Sequence, residues 1–216
     1  MEQFLLGEAS RCTLVASPIQ ILYILSHERQ RNLTTSYSTQ GNLVSVKEIL
    51  LLGNPLLRER CSPVRNVHSE ETVQTIADLR DTLASFRSAH AFGRGIAAPQ
   101  IGVTRQIIFI DFEYTGPLIN PKITKRSRKR FRLWDDCFSF PDILARVERS
   151  YSIEVAFVDK QGKRKRLKAT GALSELLQHE IDHLSGVLAI DRAIDAKHII
   201  LRSEYEKLTH KTSVVL

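Results

Sequence analysis

Six consecutive residues, Gln178-His179-Glu180-Ile181-Asp182-His183, carry the densest chemistry in this sequence of 216 residues. On a helix each residue turns by about 100°, so His179 and His183 lie only about 40° apart and one turn removed. Two imidazoles so placed can reach one divalent ion. Glu180 is rotated about 100° from His179 and about 60° from His183, so it borders the metal-facing side without being a ligand. A carboxylate in that position can take a proton from an activated water, which is the layout of metal-assisted hydrolysis. The plainer alternative is two helix histidines ion-paired with Glu180 and Asp182. The apolar residues packed around the motif favour the metal.

A hydrolytic ion needs three protein ligands and an open position. Downstream candidates for the third are His198, Glu204 and His210; upstream stands Cys137, in Trp134-Asp135-Asp136-Cys137-Phe138-Ser139-Phe140-Pro141. His198 falls on an apolar stripe, where histidine is more often a satisfied core residue. A lone cysteine in an apolar stretch is usually a small core residue. Spacing alone leaves the third ligand open.

The elements that position these residues are partly legible. Ser69 is a good N-cap with Glu70 and Glu71 in the first turn. Val73, Ile76, Leu79, Leu83 and Phe86 continue at helical spacing, which predicts a helix to about His90, broken by Gly93 and Gly95. Residues 106–112 (QIIFIDF) read as a strand, and 151–158 alternate like a half-buried one. Asp159 to Gly162 is a turn, with 163–168 as the hairpin partner. The second helix runs from about Gly171 to Ser185, with Gly186 as a left-handed C-cap. A last helix is expected from about Asp195 to Thr209, spacing Ile194, His198, Leu201, Tyr205 and Leu208. The order predicts an α+β fold: small antiparallel or mixed β-sheets around a central metal-binding helix, with an N-terminal helix and a C-terminal helix.

Composition bounds the rest. A quarter of the residues are charged and 43% are hydrophobic, which excludes wholesale disorder and fibrous classes. No stretch approaches the roughly 18 apolar residues of a spanning helix, so no membrane partner is expected. Three scattered cysteines (Cys12, Cys61 and Cys137) suit a reducing compartment. The net charge of +7 is confined to residues 122–132 and 160–168, which hold seven and six Lys or Arg and no acid, leaving 7 − 13 = −6 elsewhere. Those runs are either a surface for ribosomal or other RNA, or plain solvated loops or edge protection beside strands. Residues 1–45, with ten Ser or Thr and no Lys, read as an N-terminal extension, poorly ordered or a targeting segment, before a domain over 46–216. The expected location is cytoplasmic, or organellar if that extension is a presequence.

Taken together, the motifs resemble the peptide deformylase family. Gly93-Arg94-Gly95-Ile96-Ala97-Ala98-Pro99-Gln100 fits its GxGxAAxQ motif, Cys137 and Ser139 fit the core of EGCxS, and Gln178 to His183 fits QHExDH, in the family's order. The resemblance implies hydrolysis of the formyl group from N-formylmethionyl peptides, in N-terminal methionine processing during protein biosynthesis. It implies Cys137, His179 and His183 as ligands of one divalent metal ion per chain, with iron(II) expected and zinc, nickel or cobalt as alternatives. It makes Glu180 the general base and places the Gln100 side chain and the Phe138 backbone N–H at the oxyanion. It lays the substrate as an added strand along Gly93, Arg94, Gly95 and Ile96, near Asp136, its methionine side chain in an apolar pocket. Two departures stand out: Asp135-Asp136 replaces EG, and Arg94 replaces an aliphatic residue. Arg94 and Asp136 are expected to face each other across the groove and compensate. The alternatives are another amidase or peptidase activity at the same site, and a non-catalytic RNA binder.

Overall fold

In the computed structural model, residues 45–212 are described, so the expectation for the N-terminal extension falls on residues outside the described part. None of the described helices is long and apolar enough to cross a membrane.

The run Ile107-Ile108-Phe109-Ile110 is apolar at every position because its strand is covered on both faces. Alternate side chains of a strand point to opposite sides. In strand β2 (Ile107–Phe112), Ile108 and Ile110 enter one core cluster, and Ile107 and Phe109 another. Helix α1 (Glu70–His90) covers the second side with Leu79 and Leu83. Helix α2 (Gly171–His183) covers the first with Leu173, Leu176 and Leu177. As expected, α1 is capped by Ser69, whose hydroxyl accepts from the Thr72 N–H at 3.3 Å.

Strand β1 (Gly95–Ala97), β2, β3 (Tyr114–Arg126), β6 (Ser152–Val158) and β7 (Arg164–Thr170) form one sheet in the order β1-β2-β3-β6-β7. Strands β4 (Arg130–Asp136), β5 (Ile143–Ser150) and β8 (Ile199–Leu201) form a second, in the order β4-β5-β8. All pairings between these strands are antiparallel. The α+β expectation holds, with α2 at its centre. The β6–β7 hairpin also forms as expected, Val158 opposite Arg164.

Two readings need correction. The last helix does not start near Asp195. The Asp195 side chain instead accepts from the Lys197 N–H at 2.8 Å and caps a short 3-10 turn, Ala196–His198. Ile199, Ile200 and Leu201 then pair with Ala145, Leu144 and Ile143, and the helix α3 begins only at Arg202 and runs to Thr212. A β-branched run beside an open sheet edge satisfies its backbone there, which overrides side-chain spacing. The basic run 122–132 is also largely strand, spanning the end of β3 and the start of β4.

Leu177 has no exposed surface and sits where α2 meets the large sheet. Leu177→Ala is expected to cost about 2–5 kcal/mol in urea unfolding. A loss below about 1 kcal/mol would show that α2 is not seated as described.

Candidate metal centre and active site

Cys137 follows directly on β4, and α2 brings His179 and His183 to it; all three are buried. The Sγ of Cys137 lies 3.3 Å from the Nε2 of His183, which is 3.2 Å from the Nε2 of His179. The three ligand atoms lie within 4.8 Å of one another. Donors bound at 2.0–2.3 Å to one tetrahedral ion are separated by about 3.3–3.6 Å, so the spacing fits a single ion. The donor set, one thiolate and two imidazoles, suits iron, zinc, nickel or cobalt over magnesium or calcium. Of the sequence candidates for the third ligand, the structure brings Cys137 to the two histidines. Asp135, Glu175 and His179 also approach within 4.8 Å. That second trio is already committed, through His179–Asp135 and Arg94–Glu175 contacts.

The remaining nitrogen of His179 fixes its orientation. Its Nδ1 lies 2.8 Å from Oδ1 of Asp135, which points Nε2 at the centre. The other Asp135 oxygen accepts from Arg149 at 2.9 Å, and Arg149 also donates to Asp182 at 2.5 Å. Burial alone would raise Asp135, but His179 and Arg149 outweigh it and hold the carboxyl down at about 2. Burial would lower His179, yet Asp135 keeps it well above its ordinary value. His183 is driven well below its ordinary value by burial and by His179, which favours the neutral form a metal needs. Gln178 seats the helix: its amide accepts from the Ser150 N–H at 3.1 Å and donates to the Ser150 carbonyl at 3.0 Å.

Glu180 lies over Gly95. A Cβ added at Gly95 would stand 2.8 Å from Oε1 of Glu180, so any side chain there would push the carboxylate away. The Oε2 atom is buried without a hydrogen-bond partner among the described residues. Burial pushes the Glu180 carboxyl up to about 7; His179 and Arg94 pull it down, and Asp135 and Glu175 raise it. Gln100 is held in a 3-10 turn, Ala98–Ile101, by the Ala97 N–H donating to its Oε1 at 2.9 Å. Its Nε2 is thereby turned to Cys137 Sγ at 3.5 Å and Ser139 Oγ at 3.3 Å. Phe138 stacks on Phe86 at 3.8 Å between centroids and would meet a Cβ at Gly93 at 2.8 Å, where φ is +126°.

These groups open on a cavity of about 500 Å³, lined among others by Gly93, Arg94, Gly95, Gln100, His179 and Glu180. The expected pairing of Arg94 with Asp136 is not formed, although both line the cavity. Arg94 donates to Glu175 at 2.7 Å, and Asp136 accepts from Arg202 at 2.6 Å. Buried Glu175 takes Arg94 as its counter-charge. The wall is accordingly not purely apolar: Phe92, Phe112 and Leu176 share it with Arg94 and Glu175. Sequence reasoning marked Asp135 only as a motif departure, without a role, and missed Arg149 and Glu175 as parts of the site. Glu175 stands four residues before His179, hence on its helix face, a signal that was readable.

Comparison with known proteins agrees with this geometry. The family model described as polypeptide deformylase matches residues 46–198. A peptide deformylase of Rhizobium meliloti is 39% identical over 154 residues, covering 68% of this chain and 85% of that protein. One from Pelagibacter ubique is 36% identical over 178 residues, covering 80% and 100%. A solved peptide deformylase of Synechococcus elongatus, in complex with actinonin, superposes with a TM-score of 0.65 at 34% identity over 76% of this chain and 90% of that one.

Because Asp135 orients His179, Asp135→Asn is expected to weaken zinc binding about 10–100-fold in chelator competition. Unchanged affinity in a folded variant would remove Asp135 from the site.

Proposed function

The chain belongs to the polypeptide deformylase family, and on that premise we propose that it hydrolyses the formyl group from N-formylmethionine at the start of newly made polypeptides. The observation that carries this reading is the convergence of Cys137, His179 and His183 beside a buried Glu180 oxygen that has no hydrogen-bond partner among the described residues. Cys137 and the two histidines would hold a divalent ion, iron(II) in our reading, which when bound supplies Lewis acidity and a more acidic water.

The chain's own residues do the remainder. Glu180 receives the proton of the attacking water on Oε2 and passes it to the leaving amine nitrogen, acting as base and then acid. The Gln100 Nε2 and the backbone N–H of Phe138 donate to the oxygen that gains charge as the formyl carbon becomes tetrahedral. Gly93, Arg94, Gly95 and Ile96 receive the peptide as an added strand. In support, β1 is the edge strand of its sheet, paired on one side with β2. In this reading residues 46–216 are the hydrolase domain and 1–45 an extension; the protein works in the cytoplasm, or in an organelle if that extension is a presequence.

A second observation supports contact with RNA at the ribosome. Lys122, Ala156 and Arg166 are cross-strand neighbours, as are Lys125, Glu154 and Lys168, so four cations and one acid share one sheet face. Binding of this face to RNA is expected to weaken steeply between 50 and 200 mM salt, by about one decade per decade of salt for each phosphate contacted. Affinity independent of salt in a filter-binding titration would contradict it.

Anaerobically prepared, iron-loaded protein is expected to release formate from formyl-Met-Ala-Ser. Glu180→Gln should keep its metal and lose about 10²–10⁴-fold in kcat. Retained turnover would show that the base is wrongly assigned. Release of a peptide fragment in place of formate would favour the peptidase alternative.

A further inference from the structure

The wall of the cavity nearest the reacting centre carries an ion pair. Glu175 precedes His179 by one helical turn, so both side chains face the cavity. The Glu175 side chain is 4% exposed and accepts from Nη2 of Arg94 at 2.7 Å. The Arg94 side chain is 36% exposed, and its guanidinium carbon stands 5.4 Å from the centre of the Phe112 ring. The Glu175 carboxylate was stripped of water when the protein folded, whereas the Arg94 side chain, which lines the cavity, keeps part of its solvent contact.

A formylated peptide lying along β1 with its formyl carbon beside Glu180 has one side chain close to that carbon, that of its first residue. In our reading this side chain enters the cavity that Arg94, Glu175 and Leu176 help to line. An apolar group placed there displaces water from a guanidinium and gives nothing back. A group with an oxygen acceptor at the same reach replaces that water with a charge-assisted hydrogen bond.

Resting on the deformylase reading, we propose that the Arg94–Glu175 pair determines specificity for the first residue, admitting side chains of methionine's length that carry an oxygen acceptor near the far end. Methionine sulfoxide and glutamine have that chemistry. The pair flattens the advantage that an all-apolar wall would give to methionine.

The test compares kcat/KM for formyl-Met-Ala-Ser, formyl-Met-sulfoxide-Ala-Ser and formyl-Gln-Ala-Ser, followed by formate release. In the iron-loaded protein both polar peptides are expected within tenfold of the methionine peptide; values more than tenfold lower would overturn the proposal. In Arg94→Leu/Glu175→Leu, which removes both charges together, the glutamine-to-methionine ratio is expected to fall about tenfold, the worth of one hydrogen bond to a charged group. A fall of less than threefold in the folded double variant would also overturn it. If the double variant does not fold, the wild-type comparison decides alone. Absence of formate from all three peptides would sink the deformylase reading itself, a separate outcome.

Discussion

One buried guanidinium joins the parts of this site. Arg149, on β5, has a side chain only 5% exposed and bonds to Asp135 at the end of β4 and to Asp182 on α2. A charge removed from water must be paired, and breaking such a pair costs about 3–5 kcal/mol. The arrangement therefore admits one seating of the helix against the small sheet. That seating brings the two imidazoles to the sulfur that follows β4. Asp135 has two duties in it, as counter-ion to Arg149 and as the acceptor that sets the His179 ring. Gln178 adds a neutral fastening by exchanging hydrogen bonds with the Ser150 backbone, as a neighbouring strand would.

The same seating explains the chemistry of Glu180. Its carboxylate is forced into a buried place that only a residue without a side chain, Gly95, leaves open. Burial pushes the carboxyl up to about 7, the range that the proposed base would need for taking and returning a proton near neutral pH. The departures from the usual family motifs are absorbed locally. Asp135, shorter than the glutamate it replaces, still reaches both His179 and Arg149. Asp136, in place of glycine, binds Arg202 at the start of α3. Arg94, in place of an aliphatic residue, binds Glu175. Each added charge has a partner, which is the condition for carrying it at a partly buried position.

Periodicity made α1, α2 and the two histidines legible, since a 3.6-residue repeat and a cap are local properties. The β2 strand was legible because both of its faces are buried. Strands β3 and β4 were hidden: their ends carry Lys and Arg on exposed faces, so the apolar signal of a half-buried strand was missing. The stretch Ile199–Leu201 was misread because its strand pairing depends on β5, more than fifty residues earlier. Cys137 could not be chosen over His198 from spacing, because the distance that matters is made by the fold; the family motif carried that assignment. The partners of Arg94 and Asp136 were out of reach for the same reason. Both were recognisable as unusual, and neither could be paired without coordinates.

In our reading one sulfur and two imidazole nitrogens grip a single ion. X-ray absorption at the zinc edge of zinc-loaded protein tests it most directly. The expected spectrum has one sulfur at about 2.3 Å and two imidazole nitrogens at about 2.0–2.1 Å, with the sulfur shell lost in Cys137→Ser. A spectrum of nitrogen and oxygen neighbours alone, identical in the wild type and in that variant, would contradict it.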